Sequence, residues 1–179
     1  MTEKVMNKEL PKTSEDNDKY EFTDKHITVK IDGETHTLYR IRAKKDIIDE
    51  SGNVIARKGD LGGFIEKEGN LDYRSNAWVY DDAKVFGDAV VSGHAEVSGE
   101  AWVHGNAWVS DYALVTGNAE VSDYAEVSGE AWVHGNAEVS DYALVHGKAK
   151  VDGDAEVSGY AEVSGDITEG NYVKKAKRP

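Results

Sequence analysis

The sequence has no cysteine, which excludes disulfides, thiolate zinc sites and a cysteine nucleophile. No apolar run approaches the roughly 20 residues of a membrane-spanning helix. The stretch from Met1 to Phe22 lacks a signal-peptide apolar core. These absences lead to the expectation of a cytoplasmic chain in a reducing compartment, with no membrane partner. Basic charge is scarce in one half of the chain. Residues 77–166 hold 17 of the 34 Asp/Glu but only 3 of the 21 Lys/Arg, a balance of −14, while the whole chain carries −13. The remaining residues are therefore near +1. Phosphate contacts need Lys and Arg, so direct nucleic-acid binding along this half is disfavoured. A basic protein or cations would suit it better.

What the sequence does have is a repeat. Fifteen hexapeptides, Ala-x-Val-x-[Gly/Asp]-x, run without a gap or a departure from Ala77 to Asp166. A period of six keeps no helical face apolar, because six is not a multiple of 3.6. A strand places Ala and Val on one side and the residue between them on the other. The Gly or Asp that follows is turn chemistry. Each hexad thus predicts a short strand and a corner, and three hexads close a triangular coil. The expected fold is all-β: a single-stranded parallel β-helix of about five coils, spaced about 4.8 Å apart, with a small N-terminal β cap.

Around the repeat, residues 1–24 are polar and charged and are expected to be disordered. Residues 25–70 predict a cap built on hairpins. Asp32-Gly33 separates two alternating runs, the strongest short hairpin signal, and a second turn falls near Ser51-Gly52-Asn53. Leu71 and Tyr73 approximate a hexad without its Ala and Val, which suits a capping coil at the start of a 71–166 β-helix. Residues 167–179 leave the repeat, end basic, and are expected to close the last coil, whose strand edges would otherwise be open. Residues 95–118 return almost unchanged as 125–148. That offset of five hexads is not a multiple of three, so the copy lands on different faces. It is a mark of scaffold growth rather than of one site repeated on one wall.

The Val-x-[Gly/Asp]-x-Ala-x pattern resembles the hexapeptide-repeat, left-handed parallel β-helix proteins, over residues 77–166. The segment Lys58-Gly59-Asp60-Leu61-Gly62-Gly63-Phe64-Ile65-Glu66, followed by Asn76-Ala77-Trp78-Val79-Tyr80-Asp81-Asp82-Ala83, looks like the start of YdcK-like bacterial proteins and of phage and prophage hexapeptide proteins. The resemblance implies left-handedness, with a right-handed coil as in bactofilin-type scaffolds as the alternative. Many hexapeptide enzymes are trimeric acyltransferases with a histidine base and a loop extruded from the coils. This sequence departs from them, having no insertion within 77–166.

The outward residues between Ala and Val fall into three columns: Trp78-Glu96-Leu114-Trp132-Lys150, Lys84-Trp102-Glu120-Glu138-Glu156 and Val90-Trp108-Glu126-Leu144-Glu162. All four tryptophans stand there, and exposed aromatics mark interfaces. Either the N-terminal hairpins or the tail cover them, or another molecule does. Glu120, Glu138 and Glu156 stack on successive coils, where like charges destabilise one another unless a cation meets them. The residues expected to contact a partner are therefore Trp78, Trp102, Trp108, Leu114, Glu120, Trp132, Glu138 and Glu156. Tyr124, Tyr142 and Tyr160 form a corner column, expected to stabilise by stacking. No two repeat histidines among His94, His104, His134 and His146 share a column, so no metal site is expected within one chain. The glycines lack a phosphate-cradle context. No cofactor, metal or catalytic residue is assigned.

The expectation is a rigid, acidic, non-catalytic binding scaffold. By resemblance it is phage- or prophage-encoded and acts on a basic host protein, including through DNA mimicry. The alternatives are a trimeric acyltransferase using acyl-CoA, and a self-assembling structural protein; a homotrimer is the oligomer considered.

Overall fold

The computed structural model describes residues 9–174, with side chains through residue 172. The described chain is nearly all β, and the repeat forms a parallel β-solenoid. Each hexad contributes one short strand, from β6 (Trp78–Val79) to β20 (Glu162–Val163). These strands sort into three walls. Pairing is parallel and in register: Trp102 lies beside Lys84 and Glu120, Trp108 beside Val90 and Glu126, and Leu114 beside Glu96 and Trp132. The three outward columns read from the sequence are thus the three walls observed. Ala and Val of every hexad fill the interior, none more than 4% exposed.

The fifth hexad position explains the Gly/Asp choice. Its backbone is left-handed throughout most of the rod, as at Gly87 (φ 67°), Asp111 (φ 58°) and Asp141 (φ 60°). Glycine adopts this region without strain, and Asp is among the few side chains that tolerate it. Each Asp here gains a compensating bond. The Gly99 N–H donates to Asp81 Oδ2 at 3.1 Å, Gly129 N–H to Asp111 at 3.0 Å and Gly159 N–H to Asp141 at 2.9 Å. The carboxylate therefore ties its own corner to the corner one coil further on.

Many of the coil-to-coil hydrogen bonds run forward along the rod. The N–H of each coil donates to a carbonyl of the next, as from Trp78 to Ala95 (3.0 Å) and from Lys84 to Ala101 (2.9 Å). The first coil therefore presents carbonyls that no preceding coil can satisfy, and a buried unpaired carbonyl is costly. The N-terminal segments supply the donors. Strand β1 (Tyr20–Ile31) pairs antiparallel with β2 (Glu34–Ala43), which pairs antiparallel with β5 (Leu61–Ile65). Strand β5 then runs parallel to β7 (Lys84–Val85), so the N-terminal β cap continues the Lys84 wall. Phe64 N–H donates to Ala83 O at 2.9 Å, and Asp72 N–H to Val91 O at 3.0 Å. Side chains supply further donors. Lys19 Nζ donates to Ala77 O (2.5 Å) and Asp72 O (2.9 Å), Arg40 Nη1 to Asp81 O (2.8 Å), and Asn70 Nδ2 to Ala89 O (2.9 Å).

One expectation changes here. Residues 1–8 lie outside the described residues, but the disorder expected for 1–24 does not hold over 9–24. Asn17, Lys19 and Tyr20 are buried, and β1 begins at Tyr20. The reason is the carbonyl end of the rod, which needs donors that this polar segment carries. The other hairpin forms as expected, with β3 (Ile47–Ile48) against β4 (Val54–Ala56). At the far end, β21 (Asn171–Lys174) adds a parallel strand beside β19 (Glu156–Gly159).

Candidate functional site

The eight residues singled out from the sequence separate into distinct environments. Trp78 is only 1% exposed and carries no free surface. Tyr20 packs edge-on against it with ring centroids 6.5 Å apart, and the Lys19 ammonium sits 6.0 Å from its centroid. Its place as a partner contact is corrected: the N-terminal segment occupies that face, because the same segment must reach the Ala77 carbonyl. Trp102 is half-buried between Phe86 (5.7 Å, edge-on) and the Lys84 ammonium (5.5 Å). Trp108 and Trp132 are open, at 55% and 45% exposure. Leu114 is half-buried beside Trp132 on the Trp78 wall. Tyr112, at the intervening corner, stacks on His94 at 4.6 Å and leaves its other side open. Trp108, Tyr112 and Trp132 thus form an exposed aromatic ridge along one edge of the rod.

The three glutamates pair in register on the Lys84 wall, Glu120 beside Glu138 and Glu138 beside Glu156. Their environments differ. His104 donates from Nε2–H to Glu120 Oε1 at 2.9 Å, and this bond, against some burial, holds the Glu120 carboxyl below its ordinary range. Glu138 is pushed up, first by burial and then by the charges of Glu120, Glu156 and Asp123. The middle of the column is therefore where negative charge is least tolerated in the free protein. A cation placed there would relieve it.

The histidines use a partner pattern that column arithmetic within one residue type could not reveal. His104 reaches Glu120, and His146 Nε2 reaches Glu162 at 3.2 Å, each sixteen residues on, at the outward position of the next coil. His134 Nδ1 lies 2.9 Å from Asp152 Oδ1, and its Nε2 is buried without a partner. The signal available in the sequence was a His after Val followed sixteen positions later by Glu. Among the described residues no group of three or more His, Asp or Glu is placed to hold a metal ion. The Tyr column stacks face to face, Tyr124 on Tyr142 and Tyr142 on Tyr160, each at 5.0 Å. An amide ladder lies on another corner, where Asn118 donates to Asn136 (3.1 Å) and Asn136 to Asp154 (2.9 Å).

A cleft of about 350 Å³ separates the β1–β2 turn from the rod. Its rod side carries Phe86, His104 and Asp123, and its hairpin side Asp32, Glu34 and His36. Phe86 lies between the two imidazoles, 4.9 Å from the His36 ring and stacked 5.0 Å from the His104 ring. Glu66 fixes His36 from behind, accepting from Nδ1–H at 3.0 Å while its other oxygen accepts from Gly87 N–H at 2.9 Å. Sequence reading missed this cleft because its two walls are about 70 residues apart in the chain.

No protein-family model matches this chain, and a search of curated proteins returns no match.

Proposed function

We propose that this protein is a rigid acidic scaffold that binds a basic protein partner along the Lys84 wall. The observation that carries the reading is the in-register column Glu120–Glu138–Glu156, whose middle carboxyl is pushed up first by burial and then by the charges on either side. A solenoid wall holds these side chains at fixed spacing, so a lysine- or arginine-rich surface gains attraction without the rod having to reorganise. The exposed ridge of Trp108, Tyr112 and Trp132 adds apolar contact area on the neighbouring walls. The solenoid, the hexad pattern and the Lys58–Glu66 segment support placing the chain with the left-handed hexapeptide-repeat, YdcK-like proteins. On that resemblance the scaffold is phage- or prophage-encoded, cytoplasmic, and directed at a host protein whose basic groove it occupies.

The test is fluorescence anisotropy with a labelled lysine-rich peptide at about 50 and 500 mM salt. Surface electrostatic binding weakens steeply over that range because the Debye length shrinks severalfold. Reversing Glu120, Glu138 and Glu156 to Lys should abolish binding and leave the circular dichroism unchanged. Equal binding by the reversed protein removes the reading. Acyl transfer from acyl-CoA that disappears in His134→Ala would put the enzyme reading in its place. Concentration-dependent growth in light scattering would favour self-assembly.

A further inference from the structure

Strand β1 is the outermost strand of the nine-stranded sheet that runs through the Lys84 wall to β21, and among the described strands only β2 pairs with it. Its register against β2 is continuous from His26 to Ile31. Asp32 and Gly33, both at positive φ (48° and 84°), make a two-residue turn, so Ile31 and Glu34 form the hydrogen-bonded pair that closes the hairpin. Bonded and non-bonded pairs alternate along an antiparallel ladder. The backbone N–H and C=O of Ile31, Val29 and Ile27 therefore face β2, and those of Lys30, Thr28 and His26 face outward. No described backbone group meets that outer edge. An unpaired edge of this length is a template for another strand.

The side-chain pattern identifies the strand that fits. Ile27, Val29 and Ile31 share one face, which belongs to a cluster with Leu38, Phe64, Phe86 and Trp102 and leaves both isoleucines half-buried. His26, Thr28 and Lys30 are exposed on the other face. A two-fold interface needs a surface complementary to itself. An antiparallel copy centred on Val29 sets Val29 against Val29 and each Ile27 against the Ile31 of the second copy. It also sets Thr28 against Lys30, and the outward backbone groups of these two residues supply the ladder bonds. Centring on Thr28 would instead oppose Asp24 to Asp32 and Ile31 to Lys25, and centring on Lys30 would oppose two lysines. Lysines often blunt a sheet edge, but here Lys25 lies beyond the regular run and Lys30 meets a threonine. Charge favours the same end of the molecule. Residues 20–43 hold four Asp/Glu and four Lys/Arg, whereas residues 77–166 carry −14. Two chains meeting hairpin to hairpin keep their acidic rods apart.

We propose that this protein forms a two-fold dimer through the outer edge of β1, with His26–Ile31 of each chain paired antiparallel about Val29. The two sheets join into one, and the rods leave in opposite directions. Glu120, Glu138 and Glu156 lie toward the far end of each Lys84 wall and stay open, so the dimer presents that wall twice. The dimer goes beyond the scaffold reading and does not depend on it.

The test is sedimentation equilibrium of the full-length protein. The mass should rise with concentration from one chain to two and stop there. Thr28→Pro removes an N–H that β2 does not use, and Pro is tolerated at such edge positions. By symmetry it deletes two ladder bonds, so it should weaken the dimer about tenfold or more while the circular dichroism stays that of the parent. Thr28→Lys places a like charge opposite Lys30 and should weaken the dimer severalfold, whereas Thr28→Glu should tighten it severalfold. That exposed pair keeps the proposal falsifiable where Thr28→Pro misfolds. The chain has no cysteine, so one introduced thiol reports the register. Val29→Cys should give a covalent dimer on mild oxidation, and His26→Cys, far from its own copy in this register, should not. A single-chain mass at every concentration overturns the proposal and leaves the edge to a strand of another protein. Growth past two chains, equal affinity in Thr28→Lys and Thr28→Glu, or no covalent dimer from Val29→Cys overturns it as well. Binding of the lysine-rich peptide is read separately, so failure of the scaffold reading and failure of the dimer are distinct results.

Discussion

The ammonium of Lys19 donates to the carbonyl oxygen of Ala77 at 2.5 Å, across 58 positions of sequence. Ala77 opens the first hexad, and its carbonyl faces the end of the rod where no preceding coil exists. A buried lysine is therefore the terminal donor of one hydrogen-bond ladder. The same logic places Arg40 on Asp81 and Asn70 on Ala89.

Lys19 should give stability a recognisable pH dependence. Burial lowers its pKa from 10.5 to about 7, although Asp72 opposes the shift. Between about pH 7 and 10 the unfolded lysine keeps a proton that the folded one releases. The unfolded state then binds more protons, so stability rises with pH across that window. Buried Tyr20 and half-buried Tyr80 are pushed above the ordinary tyrosine range and act only at the upper end. Lys19→Met should abolish the rise between pH 7 and 9.5 in urea-denaturation midpoints. It should also cost about 1–3 kcal/mol at pH 9.5, where the neutral amine still donates to both carbonyls. An identical rise in the variant would assign the titration to another group.

Val127 is fully buried at the middle of the rod. Val127→Asp would place a charge among Ala and Val with no partner, and the protein should not fold. Val127→Ala, which leaves only a small void, should cost on the order of 1–3 kcal/mol by urea denaturation. A folded, two-state Val127→Asp protein would contradict the interior assignment.

Gly135 and Gly147 make a matched pair. Their φ angles are 73° and 68°, so alanine meets the same left-handed strain at either. A Cβ at Gly135 would lie 2.8 Å from Gly153 N and 2.9 Å from Gly153 O, whereas at Gly147 nothing lies within 4 Å. Gly147→Ala should therefore cost about 1 kcal/mol, the cost of αL for a residue with a Cβ. Gly135→Ala should cost distinctly more, because backbone one coil away must move. Thermal midpoints of the two variants decide the matter, and equal shifts would mean that the coils are not stacked as described.

Single-tryptophan proteins, with the other three changed to Phe, should separate in acrylamide quenching. The protein retaining Trp78 should emit blue and resist quenching, and those retaining Trp108 or Trp132 should emit red and quench readily. Tyr20→Ala should open Trp78 to the quencher, since Tyr20 packs edge-on against it. Trp78 as accessible as Trp108 in the parent protein would show that the N-terminal segment does not cover it.

The repeat was legible because its period is strict. Ala and Val two apart fix the interior face, Gly or Asp fixes the corner, and eighteen residues per coil fix which outward residues are neighbours. That is why the spacing alone puts Glu120, Glu138 and Glu156, and the Tyr124–Tyr142–Tyr160 stack, on successive coils, where the structure has them. The candidate site was legible only in part. Trp78 belongs to the same column as Trp132, and nothing within the hexad marks one as covered and the other as open.

What decided that difference is contact between segments far apart in the chain. The sequence by itself determined the solenoid, its three walls and its acidic surface, because each depends on local alternation repeated at a constant spacing. Only the tertiary structure decided how the carbonyl end is closed, which histidine meets which carboxylate, and where a cleft opens. Lys19, Arg40, His36 and Phe86 lie outside the periodic part or at its first coils. Their positions follow from unsatisfied groups at the end of the rod, and an end has no period to read.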